Sequence, residues 1–261
     1  MEHIKKLKII IIAIILAVIA LIPNNVLADG PSYDITNYDM DAYIQEDGTL
    51  HIDESITYYF SSSANGLTRD LRYYYKTNKD TMEPNSARYQ ATGIENLTVA
   101  VTNSANITTN FEKVSNAEKG DNGVYTVDTV NADRTDGYDI MVYSPISSNN
   151  FQTVHYSYDI TDAVVQYNDM SEIYYNFIGN GIETDVGEFN LDIYLPKSIN
   201  MDYVKYYPHT YATKLENIQV LLDSSSNCIN FNIKNIPSGE PVDARIVFPN
   251  TVLMNCTKKY N

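Results

Sequence analysis

The stretch YDMDAYIQEDGTLHIDESITYYF, residues 38–60, decides the architecture. Tyr38, Met40, Ala42 and Ile44 are apolar, and Asp39, Asp41 and Gln45 between them are polar. A period of two sends alternate side chains to opposite faces, which is the pattern of a strand buried on one side. Glu46, Asp47, Gly48 and Thr49 interrupt it, and Asp47-Gly48 supplies the positive φ of a two-residue hairpin turn. Alternation resumes with Leu50, Ile52, Ile56, Tyr58 and Phe60 on one face and His51, Asp53, Ser55 and Thr57 on the other. The segment therefore predicts a β-hairpin.

Working outward, the same period recurs at Leu97, Val99 and Val101, then Tyr138, Ile140 and Val142, then Val154, Tyr156, Tyr158 and Ile160. It returns at Phe189, Leu191, Ile193 and Leu195, at Ile229, Phe231 and Ile233, and at Val242, Ala244, Ile246 and Phe248. After residue 29 no stretch sustains an apolar 3.6 period, so very little helix is expected, with Asp162–Gln166 as a short turn or helical piece. Residues 77–88, 116–123, 144–150 and 223–227 are polar and read as loops and turns. Many short strands with such punctuation predict an all-β, antiparallel β-sandwich of Ig-like or jelly-roll type. A second lobe beginning near Lys197 is compatible with the pattern.

The amino terminus has a different grammar. Lys5, Lys6 and Lys8 precede an apolar run from Ile9 to Ile22, Pro23 breaks it, and Val26 and Ala28 offer small-residue cleavage spacing. That order is the layout of a signal peptide over residues 1–28, cleaved after Ala28 or retained as an anchor. The run is shorter than the ~20 residues of a spanning helix. The remaining organisation is an extracytoplasmic β domain over 29–250 and a tail over 251–261. Losing three lysines and Glu2 takes the net charge from −15 to −17. So acidic a surface repels nucleic-acid phosphates and anionic lipid headgroups, excluding nucleic acid as a partner and leaving membrane contact to an uncleaved signal. There are 23 Tyr and no Trp. Tyr suits half-buried strand positions and also stacking platforms for sugars or peptides, as at Tyr73-Tyr74-Tyr75 or Tyr206-Tyr207. Cys228 and Cys256, exported together, can close a disulfide or remain two thiols.

One residue conflicts with its surroundings. Glu54 lies on the apolar face between Ile52 and Ile56, and a carboxylate buried there requires a partner. The nearest basic residues downstream are Arg69 and Arg72. A Glu54–Arg69 pair would orient the loop after the second strand, since Arg binds carboxylate bidentately. Alternatively, Glu54, Arg69 and Asp70 line a polar site. Asp169 and Glu172, with Tyr174 beside them, are the other pair spaced for acid–base work on a glycan. The grouping of Asp133, Asp136 and Asp139 misses calcium-loop spacing, and His51, His155 and His209 lack zinc spacing. No nucleophile elbow or phosphate loop occurs, so no cofactor, metal or catalytic residue is expected.

Three segments carry a family resemblance. They are residues 44–60 followed by Gly66-Leu67-Thr68-Arg69-Asp70-Leu71, then residues 158–179, then residues 229–240 running into Val247-Phe248-Pro249. Together they resemble the N-terminal domain of bacterial predicted membrane proteins known as domain of unknown function 2207. The resemblance implies an extracytoplasmic β domain without an established activity, and treats Glu54 and Arg69 as parts of one architectural feature. It also implies a tryptophan after Gly179 and membrane segments further on, neither of which this sequence contains. The expected function is a non-enzymatic, envelope-associated interaction domain with a protein partner. The rival is an envelope glycan binder or glycosidase using Asp169, Glu172 and the tyrosines.

Overall fold

The computed structural model describes residues 32–75, 91–132, 135–179, 181–211, 217–257 and 259. Its strands are β1 (Tyr33–Ile44), β2 (Leu50–Phe60), β3 (Ala64–Tyr75), β4 (Gly93–Thr102), β5 (Thr108–Asn110), β6 (Glu112–Lys113), β7 (Val124–Asn131) and β8 (Thr135–Ile146). There follow β9 (Asn150–Thr161), β10 (Val164–Gln166), β11 (Met170–Ile178), β12 (Val186–Tyr194), β13 (Lys205–His209), β14 (Ile218–Asp223), β15 (Cys228–Ile236) and β16 (Val242–Pro249). Among the described residues helix is confined to short 3-10 turns such as Met201–Tyr203 and Asn250–Val252. The signal segment 1–28 and the loop 77–88 lie outside the described residues.

The hairpin of residues 38–60 is β1 and β2, paired from Tyr33↔Phe60 to Ile44↔Leu50. Its turn is longer than Asp47-Gly48 alone implied. Gln45 N–H donates to the Thr49 carbonyl at 2.9 Å, and the Asp47 carboxylate accepts from Thr49 N–H at 2.9 Å. Gly48 does have the positive φ, +89°, and a Cβ there would meet the Cys256 sulfur at 3.0 Å. The left-handed positions not taken by glycine are filled by Asn96, Asn106, Asn149, Asn227, Asn235, Asn255 and Asp162. Asn and Asp tolerate that region because their short polar side chains bond locally, so the asparagines mark where strands bend or end.

Three sheets result. The largest runs β14-β15-β12-β1-β2-β9-β4-β5, and two four-stranded sheets run β10-β11-β16-β13 and β3-β8-β7-β6. Both smaller sheets reach the inner face of the large one. Arg69 of β3 bonds Glu54 of β2, Tyr125 of β7 donates to the Leu97 carbonyl of β4, and Tyr206 of β13 meets the Phe231 ring of β15 edge-on at 6.0 Å. A single apolar core lies between, with Tyr38, Ile52, Phe60, Phe189, Phe231 and Phe248 fully buried. At roughly 25 cal/mol per Å² of apolar surface, this burial is the main force joining the layers.

Several expectations are corrected. The large sheet is mixed, because β1 pairs with β12 in parallel from Ile35↔Val186 to Tyr43↔Tyr194. Alternation marks a strand but not its direction. Arg69, expected in a loop after the second strand, lies in β3, where Gly66 sits at an irregularity and a Cβ on it would strike the Val142 carbonyl at 1.9 Å. Residues 162–166 are not helical: Asp162 turns left-handed and β10 follows. Residues 32–261 form one compact unit with no second lobe at Lys197, since β12 and β15 pair across that point. The segment after residue 250 is also part of the body: Val252, Leu253 and Cys256 are buried, and Met254 N–H donates to the Glu46 carbonyl at 2.7 Å.

Candidate functional site

Glu54 and Arg69 meet between the layers. β2 turns Glu54 inward, and β3, in the opposing sheet, delivers Arg69. Arg69 Nε donates to Glu54 Oε1 at 2.9 Å and Nη2 to Oε2 at 3.0 Å, a bidentate fork. Tyr38 completes the group: its hydroxyl donates to Glu54 Oε2 at 2.7 Å and accepts from Arg69 Nη2 at 2.7 Å. The remaining Arg69 nitrogen donates to the Asp70 carbonyl at 2.8 Å. Burial works against the Arg69 charge, yet the Glu54 carboxylate outweighs it and holds the guanidinium protonated. Burial also pushes the Tyr38, Tyr58, Tyr156 and Tyr158 hydroxyls up, so they act here as neutral hydrogen-bonding groups. Asp70 is not in the fork. Its exposed carboxylate lies 3.7 Å from Arg72 and presses on Gly181, where a Cβ would be 2.4 Å away.

The second expected pair does not converge. Asp169 is exposed in the turn before β11, whereas Glu172 is buried within that strand and forms an ion pair with Arg245 of β16. Beside it the Tyr174 hydroxyl donates to Asp243 at 3.1 Å, and the Tyr174 ring lies 5.7 Å from that of His209. Tyr74 is half-buried near the end of β3, opposite Asp136. Tyr206 enters the core while Tyr207 faces out.

The outer face of the large sheet carries polar rows set by register. Ser55 Oγ is 2.7 Å from His155 Nδ1, and His155 Nε2 is 2.8 Å from Thr102 Oγ1. Burial lowers the His155 pKa, favouring a neutral ring that passes one hydrogen bond along this row. His51 bonds Asp159 at 2.7 Å. Asp192, Asp41 and Asp53 stand directly opposite one another on three adjacent strands. Burial first, then these like charges, raises the Asp41 pKa. Among the described residues no three His, Cys, Asp or Glu could hold a metal ion. Asp136 and Asp139 lie in β8, and Asp133 lies outside the described residues.

The structure forms no disulfide between Cys228 and Cys256. Cys228 opens β15 beside Asp192, where burial and that carboxylate push its thiol up to about 12. Cys256 packs against Val164 and Gly48 on another part of the fold.

A feature the sequence reading missed lies where two sheet edges come together. β13 ends one four-stranded sheet and β14 ends the large sheet. A groove of about 480 Å³ runs between them, lined by Met201, Val204, Lys205, Tyr206, Tyr207 and Leu222 among others. Of the nine exposed large hydrophobic residues described, Tyr203, Tyr207, Tyr211, Leu221 and Leu222 belong to this short stretch of chain. The available signal was the Leu221-Leu222 pair next to a turn, too short to separate an exposed edge from a buried strand.

The geometry defines an all-β domain with one long mixed sheet backed by two smaller ones. The chain belongs to the family described as predicted membrane protein (DUF2207) N-terminal domain, whose model matches residues 34–248. No curated protein matches it. Among solved structures, the M1 zinc metallopeptidase from Deinococcus radiodurans is similar over 84% of this chain and 42% of its own, at 10% identity and TM-score 0.39. A putative nutrient binding protein from Legionella pneumophila is similar over 83% and 67%, at 9% identity and TM-score 0.45. Yeast LTA4 hydrolase in complex with Bestatin is similar over 81% and 28%, at 12% identity and TM-score 0.43. This chain thus spans less than half of the metallopeptidase, and these likenesses carry no argument about activity. No helix among the described residues is long and apolar enough to cross a membrane.

Proposed function

We propose that this is an extracytoplasmic, non-enzymatic interaction domain that takes a segment of a protein partner along the β13–β14 edge. The observation that carries the reading is the coincidence of β13 and β14, which end their sheets among the described residues, with the largest concentration of exposed apolar side chains described. An open edge presents unpaired backbone N–H and C=O groups, and a partner strand that fills them gains affinity from the main chain and specificity from neighbouring side chains. Exposed apolar patches on soluble domains mark such contacts. Export rests on the signal pattern of residues 1–28.

The test uses the full, tagged chain expressed in its own envelope and crosslinked in place. A partner recovered with the native chain should be lost at least tenfold from the Leu221→Asp/Leu222→Asp variant, with the unfolding midpoint unchanged. Equal recovery by both proteins would place the contact elsewhere. Retention on purified wall glycan, competed by soluble fragments and abolished by Tyr174→Ala, would replace this reading with the glycan-binding one.

A further inference from the structure

The interior holds more hydroxyl groups than it has partners to satisfy. Tyr156 and Tyr158 both point inward from β9, each 1% exposed. Tyr156 is the register partner of Glu54 and Tyr158 that of Ile52, so both stand next to the buried ion pair. Neither hydroxyl finds a hydrogen-bond partner among the described residues. Tyr38, two strands away on β1, donates its hydroxyl proton to Glu54 and accepts from Arg69. The electrostatic neighbours of Tyr156 are Tyr58, Glu54, Arg69 and Tyr33, and those of Tyr158 are Glu54, Tyr175, Arg69 and Tyr38. Two orphan hydroxyls thus share one polar neighbourhood. Glu54 Oε1 accepts one bond there, from Arg69 Nε, leaving capacity on a carboxylate oxygen.

Phenylalanine would avoid the problem, and this core accommodates it. Phe60, Phe177, Phe189, Phe231 and Phe248 are fully buried in it. Tyrosine at 156 and 158 therefore needs a use for its oxygen, because buried polar atoms are almost always hydrogen-bonded. We propose that the inner face of β9 is a site for internal water: at least one ordered water molecule bridges the Tyr156 and Tyr158 hydroxyls to the Glu54–Arg69–Tyr38 group. Water suits the chemistry better than an ion, since Glu54 and Arg69 already neutralise each other. Buried water wants two to four polar partners of mixed donor and acceptor character, and two hydroxyls beside a carboxylate provide them. The bridge links the large sheet to the ion pair that fastens the opposing layer, so it belongs to the joint between layers.

The sign of a stability change tests this. Tyr156→Phe and Tyr158→Phe are each expected to lower Tm by about 2–4 °C, as for one lost hydrogen bond in a chain of this size. The double variant should lose less than the sum, because both hydroxyls hold the same water. A rise in Tm for either variant would mean a dry, unsatisfied hydroxyl and would overturn the proposal. The second measurement, nuclear Overhauser contact between long-lived water and these two tyrosines in the full chain, should be positive. A fall in Tm without such water would also overturn it, by showing direct protein partners instead.

Discussion

Two carboxylate–arginine pairs in this molecule look alike in composition and differ in what surrounds them. Glu54 and Glu172 are both buried on strands, and each binds one arginine from another strand. Arg69, however, is itself enclosed between the layers with 9% of its side chain exposed, while the side chain of Arg245 is 47% exposed. In the first pair neither charge has bulk solvent to fall back on. In the second the cation does. The exposure of the cation, more than that of the acid, decides what losing the acid costs.

The largest effect should come from the interlayer pair. Glu54→Ala is expected to destabilise the fold by roughly 3–5 kcal/mol in urea unfolding, because Arg69 is left charged and enclosed. Replacing both partners, Glu54→Leu with Arg69→Met, should recover much of that loss, since no buried charge remains. An unchanged midpoint in Glu54→Ala would break the comparison outright. A smaller effect belongs to Glu172→Gln, about 1 kcal/mol or less, because Arg245 can be solvated. That loss should shrink as salt is raised, while the loss in Glu54→Ala should not. A salt-independent loss in Glu172→Gln would mean that the two pairs are alike after all.

The smallest effect sharpens the contrast from the other side, with a carboxylate whose neighbours carry its own sign. Asp41 faces Asp192 and Asp53, so Asp41→Asn should stabilise the fold by roughly 0.2–1 kcal/mol at neutral pH. The pH dependence follows from the raised pKa. The folded chain holds the Asp41 proton more tightly than the unfolded chain does, so ionisation costs stability as pH rises from the ordinary carboxylate range through the raised value. The advantage of Asp41→Asn should therefore fade as pH is lowered through that window, as read by thermal unfolding across pH. A constant advantage would assign the gain to something other than charge.

Glu54 was legible as a misfit because alternation is local: a carboxylate between Ile52 and Ile56 on an apolar face asks for a cation, and Arg69 was the nearest downstream. Tyr38 was not legible as the third member, because the same alternation counts tyrosine as an apolar residue and says nothing of where its hydroxyl ends. Arg245 could not be matched to Glu172, 73 positions earlier in the chain. Asp169 and Glu172 looked like a pair only because they are close in sequence, and a turn separates their environments. Cys228 and Cys256 looked like a pair by count, whereas distance and direction are properties of the folded backbone.

By itself the sequence determined the strands that alternate cleanly, β1, β2, β4, β8, β9, β12, β15 and β16, the faces they bury and the one acid that violates its face, because each follows from side chains two residues apart. Only the tertiary structure decided that β12 lies parallel to β1, that Arg69 belongs to a strand of the opposing sheet, and that β13 and β14 are left as neighbouring edges. These depend on which distant segments share the core, and no short-range period encodes that choice.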